Sequence, residues 1–523
     1  MKTMTRLLMA SAAVACLGTT SAFAAGNNHP AGSPDPYPYP GFSINVIGGG
    51  ATFPSIVYRE LQDCNFHPLG YGNATGPGWY DINPNCPSAP FGTASRTYLW
   101  FYYAPTGSGN GKTAIKANNN NLLTNPISTT IPYTSSEIPS YPYNQSFGYH
   151  YSGSDDVWNL ADQTAWNAAN GPASKYGNLI QLPAVAGSVT IILNGKDGAG
   201  VNLTEAGNAV SGSTSAINLS RQALCGIFAG KITKWDNPLL KALNNNTAMG
   251  TGQITVVHRF DGSGTNFLLT NALQEQCRAV VGPDESTPPV TVSYAFPWGD
   301  QSSCPALPRG ANAVAWPDQF GTVCGSANPP PTGAVFTNSG SNGSQSLVNK
   351  VMATPGAIGY VSPDFARPIT ATGPKTANLQ NEWDVSTNSS GTPTFVAPTV
   401  ASTTAAMSSV TPVFDSTTRG NPLAWSLQGV VPNPVVKTAY PIAGFSWLEM
   451  YQCYNTGNNI PVQLLEFVYT LYASGNYKAI IESNGFAQVP GTWLNEIYAL
   501  LSDDNTRPRN DLAGACSGKV GAQ

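Results

Sequence analysis

The chain has 523 residues, with 24 Lys and Arg against 28 Asp and Glu, a net charge of −4 and only four His. Charged residues make up 10% of it, against roughly 25% in an average soluble domain, and Asn, Ser, Thr and Gly take their place. That balance offers no basic footprint for nucleic acid, and a chain this long buries a core that ordinarily divides into at least two lobes.

The first residues read as an export signal. Lys2 and Arg6 precede an apolar run from Leu7 to Leu17, and Ser21-Ala22-Phe23-Ala24 places small residues where signal peptidase reads them. The run is too short to span a bilayer, so cleavage is expected after Ala24, with residues 1–24 outside the fold. Ala13-Val14-Ala15 before Cys16 is a poor lipobox and argues against lipidation there. Residues 25–42 are rich in Pro, Gly and Asn and read as a tether. No later stretch is long and apolar enough for a transmembrane helix.

Eight cysteines then remain: Cys64, Cys86, Cys225, Cys277, Cys304, Cys324, Cys453 and Cys516. An even number in an exported chain points to disulfides. Short separations favour the pairs 64–86, 225–277, 304–324 and 453–516, although spacing alone leaves room for one or two different pairings. No Cys-x-x-Cys occurs, which argues against a zinc ribbon or a thioredoxin-type redox site.

Ordered structure should begin with a strand at Ser43 to Ile47 running into Gly48-Gly49-Gly50. A helix follows Pro54, with Ile56, Val57 and Leu61 inward. Residues 65–100 and 120–150, dense in Pro, Tyr, Asn and Gly, look like insertions. Apolar runs at 189–193, 254–257 and 358–361 read as buried strands, and 220–230 and 263–277 as helices. Strands alternating with helices predict parallel sheets and an α/β fold. Residues 370–435 are weakly patterned and read as a long surface excursion. Val462, Leu465, Val468 and Leu471 mark a late helix, and Trp493, Ile497 and Leu500 another.

Three segments put glycine and small hydroxyl residues just ahead of a helix: Gly48 to Pro54, Thr106 to Gly111 and Asp261 to Thr265. Glycine admits a ligand close to the backbone, and a helix start offers free N–H groups and partial positive charge. One such segment is usually an ordinary cap; three in a chain so poor in charge point to a small anion. Arg259 can close the site with a planar fork of donors. Ser152-Gly153-Ser154-Asp155-Asp156 adds a carboxylate, which is unexpected beside an anion. Thr106 to Thr113 (TGSGNGKT) misses the P-loop pattern at its first glycine. The four histidines show no metal-ligand spacing, His258 reads as a satisfied strand histidine, and no G-x-S-x-G elbow is present. No cofactor and no catalytic residue are expected.

In order along the chain, GGGATFP (48–54), TGSGNGK (106–112), SGSDD (152–156), LCGIFAGKITKWDN (224–237), HRFDGSGTNFLLT (258–270), TPGAIGYVSPDFA (354–366) and YPIAGFSWLEMYQCY (440–454) resemble the PstS-type phosphate-binding proteins of ABC transporters, especially their DING branch. The resemblance implies a periplasmic-binding-protein-like (type II) fold of two α/β lobes: residues 43–183 plus 369–523 as lobe one and 184–368 as lobe two. It implies an exported, monomeric protein that holds inorganic phosphate through Thr52, the Phe53 backbone, Ser108, Asp155, Arg259, Ser263, Gly264 and Thr265, with an ABC permease as the possible partner. It supports the pairs 225–277 and 453–516 and gives no guidance on the other two. Asp156 beside Asp155, and the extra length, depart from the family.

Asp155 explains the choice of anion. Near neutral pH phosphate retains a proton to donate to a carboxylate; sulfate retains none and would set bare oxygen against bare oxygen, at a cost of several kcal/mol. That is specificity by rejection. The competing readings are a secreted phosphatase using the same pocket and a non-transport extracellular protein on the same scaffold. The first would need a nucleophile with a base, or a metal pair.

Overall fold

The computed structural model describes residues 44–65, 99–123, 148–205, 208–209, 216–295, 316–323, 325, 331–366, 373–457, 460–473 and 475–522. The expected signal peptide, Cys16, the tether, most of both early insertions, and the pairs 64–86 and 304–324 lie outside the described residues.

The strands that matter here are β1 (Ile44–Gly50), β2 (Leu99–Ala104), β3 (Tyr151–Ser154), β4 (Leu179–Ser188), β5 (Thr190–Leu193), β6 (Ala216–Leu219), β7 (Thr255–His258), β8 (Val335–Asn338), β9 (Ala357–Val361), β10 (Lys375–Leu379), β11 (Ala443–Tyr451) and β12 (Ala487–Gln488). They form two six-stranded sheets, ordered β12-β4-β11-β3-β1-β2 and β8-β7-β9-β5-β10-β6. Strands β3, β4, β5, β9 and β11 are buried along their whole length, as expected for sheets covered by helices on both faces.

The sheets are mixed rather than parallel. β1 runs parallel to β2 and β3, but β11 is antiparallel to β3 and β4. In the second sheet β5 is antiparallel to β9 and β10, while β7 is parallel to β8 and β9. A strand that leaves one sheet and feeds the next must run outward through it, and β4 does so: only Val189 separates its end from β5. The chain therefore leaves the first sheet after Ser188, five residues beyond the boundary at 183 given to lobe one.

The return is also later. β10 pairs with β5 and β6, so 375–379 belongs to the second sheet and not with the residues after 369 assigned to lobe one. The helix Val400–Met407 packs on β4, β11 and β12. The described part of the expected surface excursion, residues 373–435, is accordingly packed: Met407 and Trp425 are fully buried and Phe414 stacks on Trp425 at 4.4 Å. Their Ser/Thr/Ala composition hides helices whose inward faces are small residues.

Local structure elsewhere follows the pattern of apolar residues. Helix α1 (Ser55–Asn65) buries Ile56, Val57 and Leu61. The helix Ile460–Ala473 forms, but its inward face is Leu464, Phe467, Val468 and Leu471, leaving Val462 half exposed. Trp493, Ile497 and Leu500 are buried as expected, with Trp493 against Phe445 and Trp447 of β11. Cys225–Cys277 and Cys453–Cys516 are disulfides, each with Cα atoms 5.5 Å apart. Among the described residues no helix is long and apolar enough to cross a membrane.

Candidate functional site

The expected site residues converge from both sheets. Helix α2 (Ser108–Ala117) starts after Gly107 at φ 93°, a turn that favours glycine. Ser108 at its head is fully buried, and its Oγ accepts the Asp155 N–H at 3.2 Å. Asp155 follows β3 directly. From the second sheet, Arg259 follows β7 and Ser263 caps helix α4 (Gly264–Cys277), its Oγ accepting the Thr265 N–H at 3.2 Å. A β-carbon at Gly264 would lie 2.4 Å from Asp155 Cβ and 2.6 Å from Ser108 Oγ, so only glycine lets the two halves meet there. Thr52, Asp155, Arg259, Ser263 and Thr265 are all 1–2% exposed. Phe53 buries its ring in the core, edge-on to Phe486 at 5.3 Å.

Arg259 is held rigidly. Its backbone N–H donates to the Tyr360 hydroxyl at 3.1 Å, its Nε donates to Asp261 Oδ1 at 2.8 Å, and Nη2 reaches Asp261 Oδ2. Nη1 donates to Ser344 Oγ at 3.4 Å, and Ser344 Oγ in turn lies 3.3 Å from Thr52 Oγ1. Ser344 heads helix α5 (Ser344–Ala353), and the Gly343 N–H before it donates to Asp261 Oδ1 at 3.2 Å. Sequence reasoning missed both Ser344 and Asp261. The signal for Ser344 was present: Ser339-Gly340-Ser341-Asn342-Gly343 ahead of a helix repeats the design of the other three segments.

The two adjacent aspartates divide. Asp155 lies beside Ser108 and Gly264, whereas Asp156 turns to Lys112, whose Nζ is 2.8 Å from its Oδ2. Burial pushes the Asp155 carboxyl up to about 8, against the pull of the Ser446 hydroxyl and the Arg259 guanidinium. Its Oδ1 and the Thr265 hydroxyl are buried with no hydrogen-bond partner among the described residues. Buried polar atoms normally have one.

The remaining candidates read as structural. His258 stacks on Trp316 at 5.1 Å, donates from Nδ1 to the Arg259 carbonyl at 3.0 Å, and is pushed down to about 4 by burial. Ser263 Oγ accepts the Thr265 N–H as a helix cap, and Ser108 Oγ accepts the Asp155 N–H. Among the described residues no cluster of three or more His, Cys, Asp or Glu could hold a metal.

Two mixed α/β sheets that enclose a buried polar site where they meet define a two-lobed binding scaffold. The chain belongs to the PBP superfamily: the model described as "PBP superfamily domain" matches residues 98–470. It is 27% identical over 489 residues to a "Phosphate-binding protein" of an unknown prokaryotic organism, covering 91% of this chain and 99% of the relative. It is 26% identical to "Alkaline phosphatase L" of Pseudomonas aeruginosa (strain UCBPP-PA14), covering 86% of each. Among solved structures it is similar to a high affinity periplasmic phosphate-binding protein (PfluDING) bound with phosphate, with 25% identity, a TM-score of 0.55, and 91% and 99% of the two chains covered.

Proposed function

We propose that this protein binds inorganic phosphate between its two lobes and performs no chemistry on it. The single observation that carries the reading is the buried Asp155 carboxyl, beside the Gly264 helix start and in the field of Arg259, with its Oδ1 left without a hydrogen-bond partner among the described residues. An ionised carboxyl in an anion site can be met only by an anion that brings a proton. Thr52, the Phe53 backbone, Ser108, Ser263, Gly264 and Thr265 supply hydroxyl and N–H groups to the remaining oxygens, and Arg259 offsets the charge. Ser344 joins this set through its contacts with Thr52 and Arg259.

The raised Asp155 value sharpens the selectivity argument. While Asp155 is protonated it can donate to sulfate as well as to phosphate. Once it ionises, sulfate must recruit a proton to bind, whereas monohydrogen phosphate carries its own. Discrimination should therefore widen as pH rises through about 8.

The lobes are taken to close by hinge motion at two places, around Val189 and in the segment between β10 and the Val400–Met407 helix. The names and periplasmic setting of the relatives support export and a place as substrate-binding component for phosphate uptake or scavenging, with an ABC permease as partner. The name of the Pseudomonas relative favours one second reading, a phosphatase. Calorimetry with inorganic phosphate, run beside a phosphomonoesterase assay on the same preparation, separates them. Binding without turnover supports the proposal, and turnover abolished by Ser108→Ala or Ser263→Ala overturns it.

A further inference from the structure

Lys112 belongs to the run TGSGNGKT, of which phosphate binding uses Ser108 and leaves Lys112 without a role. It is 4% exposed, and its Nζ makes three contacts: Asp156 Oδ2 at 2.8 Å, the Val157 carbonyl at 2.6 Å and Asp162 Oδ2 at 3.1 Å. It sits four residues along α2 from Ser108, at the end of the first turn. Asp156 and Val157 are the two residues after Asp155, and Asp162 lies in helix α3 (Leu160–Trp166), where it completes a capping box with Asn159. The ammonium thus ties the helix that presents Ser108 to the loop that presents Asp155.

The packing around it leaves α2 one place to sit. A β-carbon at Gly111 would lie 2.5 Å from Ser152 Oγ and 2.8 Å from Gly50 Cα, so the helix rests directly on β1 and β3. The Ser154 hydroxyl donates to the Asp156 carbonyl at 2.6 Å, fixing the turn from the other side. Ser108 and Asp155 meet at 3.2 Å inside this frame. Three charge-assisted or carbonyl bonds to one buried ammonium make a geometry that a neutral side chain cannot reproduce.

We infer that Lys112 is a positioning residue for anion selection: by holding Asp156 and Val157 against α2, it sets the distance between the Asp155 carboxyl and the Ser108 hydroxyl at which a protonated anion is accepted and an unprotonated one refused. The inference rests on the phosphate-binding reading and adds a residue that touches no ligand. Asp156 also raises the Asp155 carboxyl electrostatically, so removing its charge favours ionised Asp155 and works against the geometric effect; the comparison is therefore made at about pH 9, where Asp155 is already mostly ionised.

The test measures dissociation constants for inorganic phosphate and sulfate, with melting temperatures, on the full chain and three variants. At that pH Lys112→Met, which cuts the tie to the loop, and Asp156→Asn, which leaves only the Val157 carbonyl as a full partner there, should lower the phosphate-to-sulfate preference by about tenfold or more. Asp162→Asn leaves Lys112 bonded to Asp156 and Val157, and should lower the melting temperature while keeping the preference within about threefold of wild type. A purely structural lysine gives the opposite result: Lys112→Met and Asp156→Asn shift melting alone and keep the preference, which overturns the inference. Should Lys112→Met not fold, Asp156→Asn decides by the same criterion. Wild-type protein that binds no phosphate would instead refute the underlying reading and is recognised before any variant is compared.

Discussion

Asp155 and Gly264 touch across the two halves of the molecule: the carboxylate of one lies where a side chain on the other would have to stand, 2.4 to 2.5 Å from a β-carbon built there. Gly264 is the first residue of its helix, so the contact brings an acid and a helix start together at one point. Gly264→Ala should hold the halves apart. Phosphate affinity should fall by about tenfold or more, equivalent to about 1.4 kcal/mol, with little loss of stability without ligand. Calorimetry and thermal melting in phosphate-free buffer check both, and full affinity in the alanine variant would show that the halves need not approach at this point.

Asp155→Asn replaces the titrating group by one that donates to either anion. Phosphate should still bind, but preference over sulfate should drop by about tenfold and lose its pH dependence. A competition titration across neutral to alkaline pH reads this directly. Preference that survives the substitution assigns the discrimination to another group.

Arg259 faces Asp261, Ser344 and Tyr360 at once. Arg259→Ala should weaken phosphate by at least about tenfold (about 1.4 kcal/mol). It should also destabilise the protein by about 3 kcal/mol, because Asp261 is left 9% exposed without its partner. Ser344→Ala removes only a hydroxyl bridging Arg259 and Thr52, and should cost about 1 kcal/mol of binding. If Ser344→Ala proves as damaging as Arg259→Ala, Ser344 holds the anion more directly than its two contacts indicate.

The unliganded protein should lose stability as pH rises to about 8. Burial pushes Asp155 and Glu449, the latter opposite Ser152 in the β3–β11 pairing, up to about 8 each. A carboxyl whose pKa rises on folding binds more protons in the native state. Its contribution is full below the unfolded value near about 4 and is lost as pH rises through the folded value. Melting temperature in phosphate-free buffer should therefore fall from about pH 4 to about pH 8 and level off above that. Glu449→Gln, which keeps the shape without titrating, should flatten that slope. An unchanged slope would mean that Glu449 does not carry its proton at neutral pH.

Much of this architecture was legible because the informative residues are local. Glycine and hydroxyl residues ahead of a helix identify Thr52, Ser108 and Ser263 without reference to anything distant, and the apolar runs of β5, β7 and β9 announce themselves. What was not legible depends on partners far along the chain. Ser344 matters because Arg259 and Thr52 reach it from 85 and 292 residues away. Asp261 reads as a loop aspartate until the guanidinium is placed. The strand Lys375–Leu379 is short and polar, and only its pairing with β5 and β6 assigns it to the second sheet. The helices of 400–407 and 422–429 bury Met407, Trp425 and small residues, which gives too weak a periodicity to separate from a loop. Asp155 and Asp156 are indistinguishable as letters; Lys112 tells them apart.

The measurement that tests the central claim most directly is a competition titration of phosphate, arsenate and sulfate on the full chain, at about pH 7 and about pH 9. The account predicts that phosphate and arsenate, both of which keep a proton, compete for one site at both values. Sulfate should bind more weakly, and more weakly still at the higher pH, by up to about tenfold per unit above the Asp155 value. Sulfate competing on equal terms at the higher pH, or no binding of phosphate at either, would contradict it.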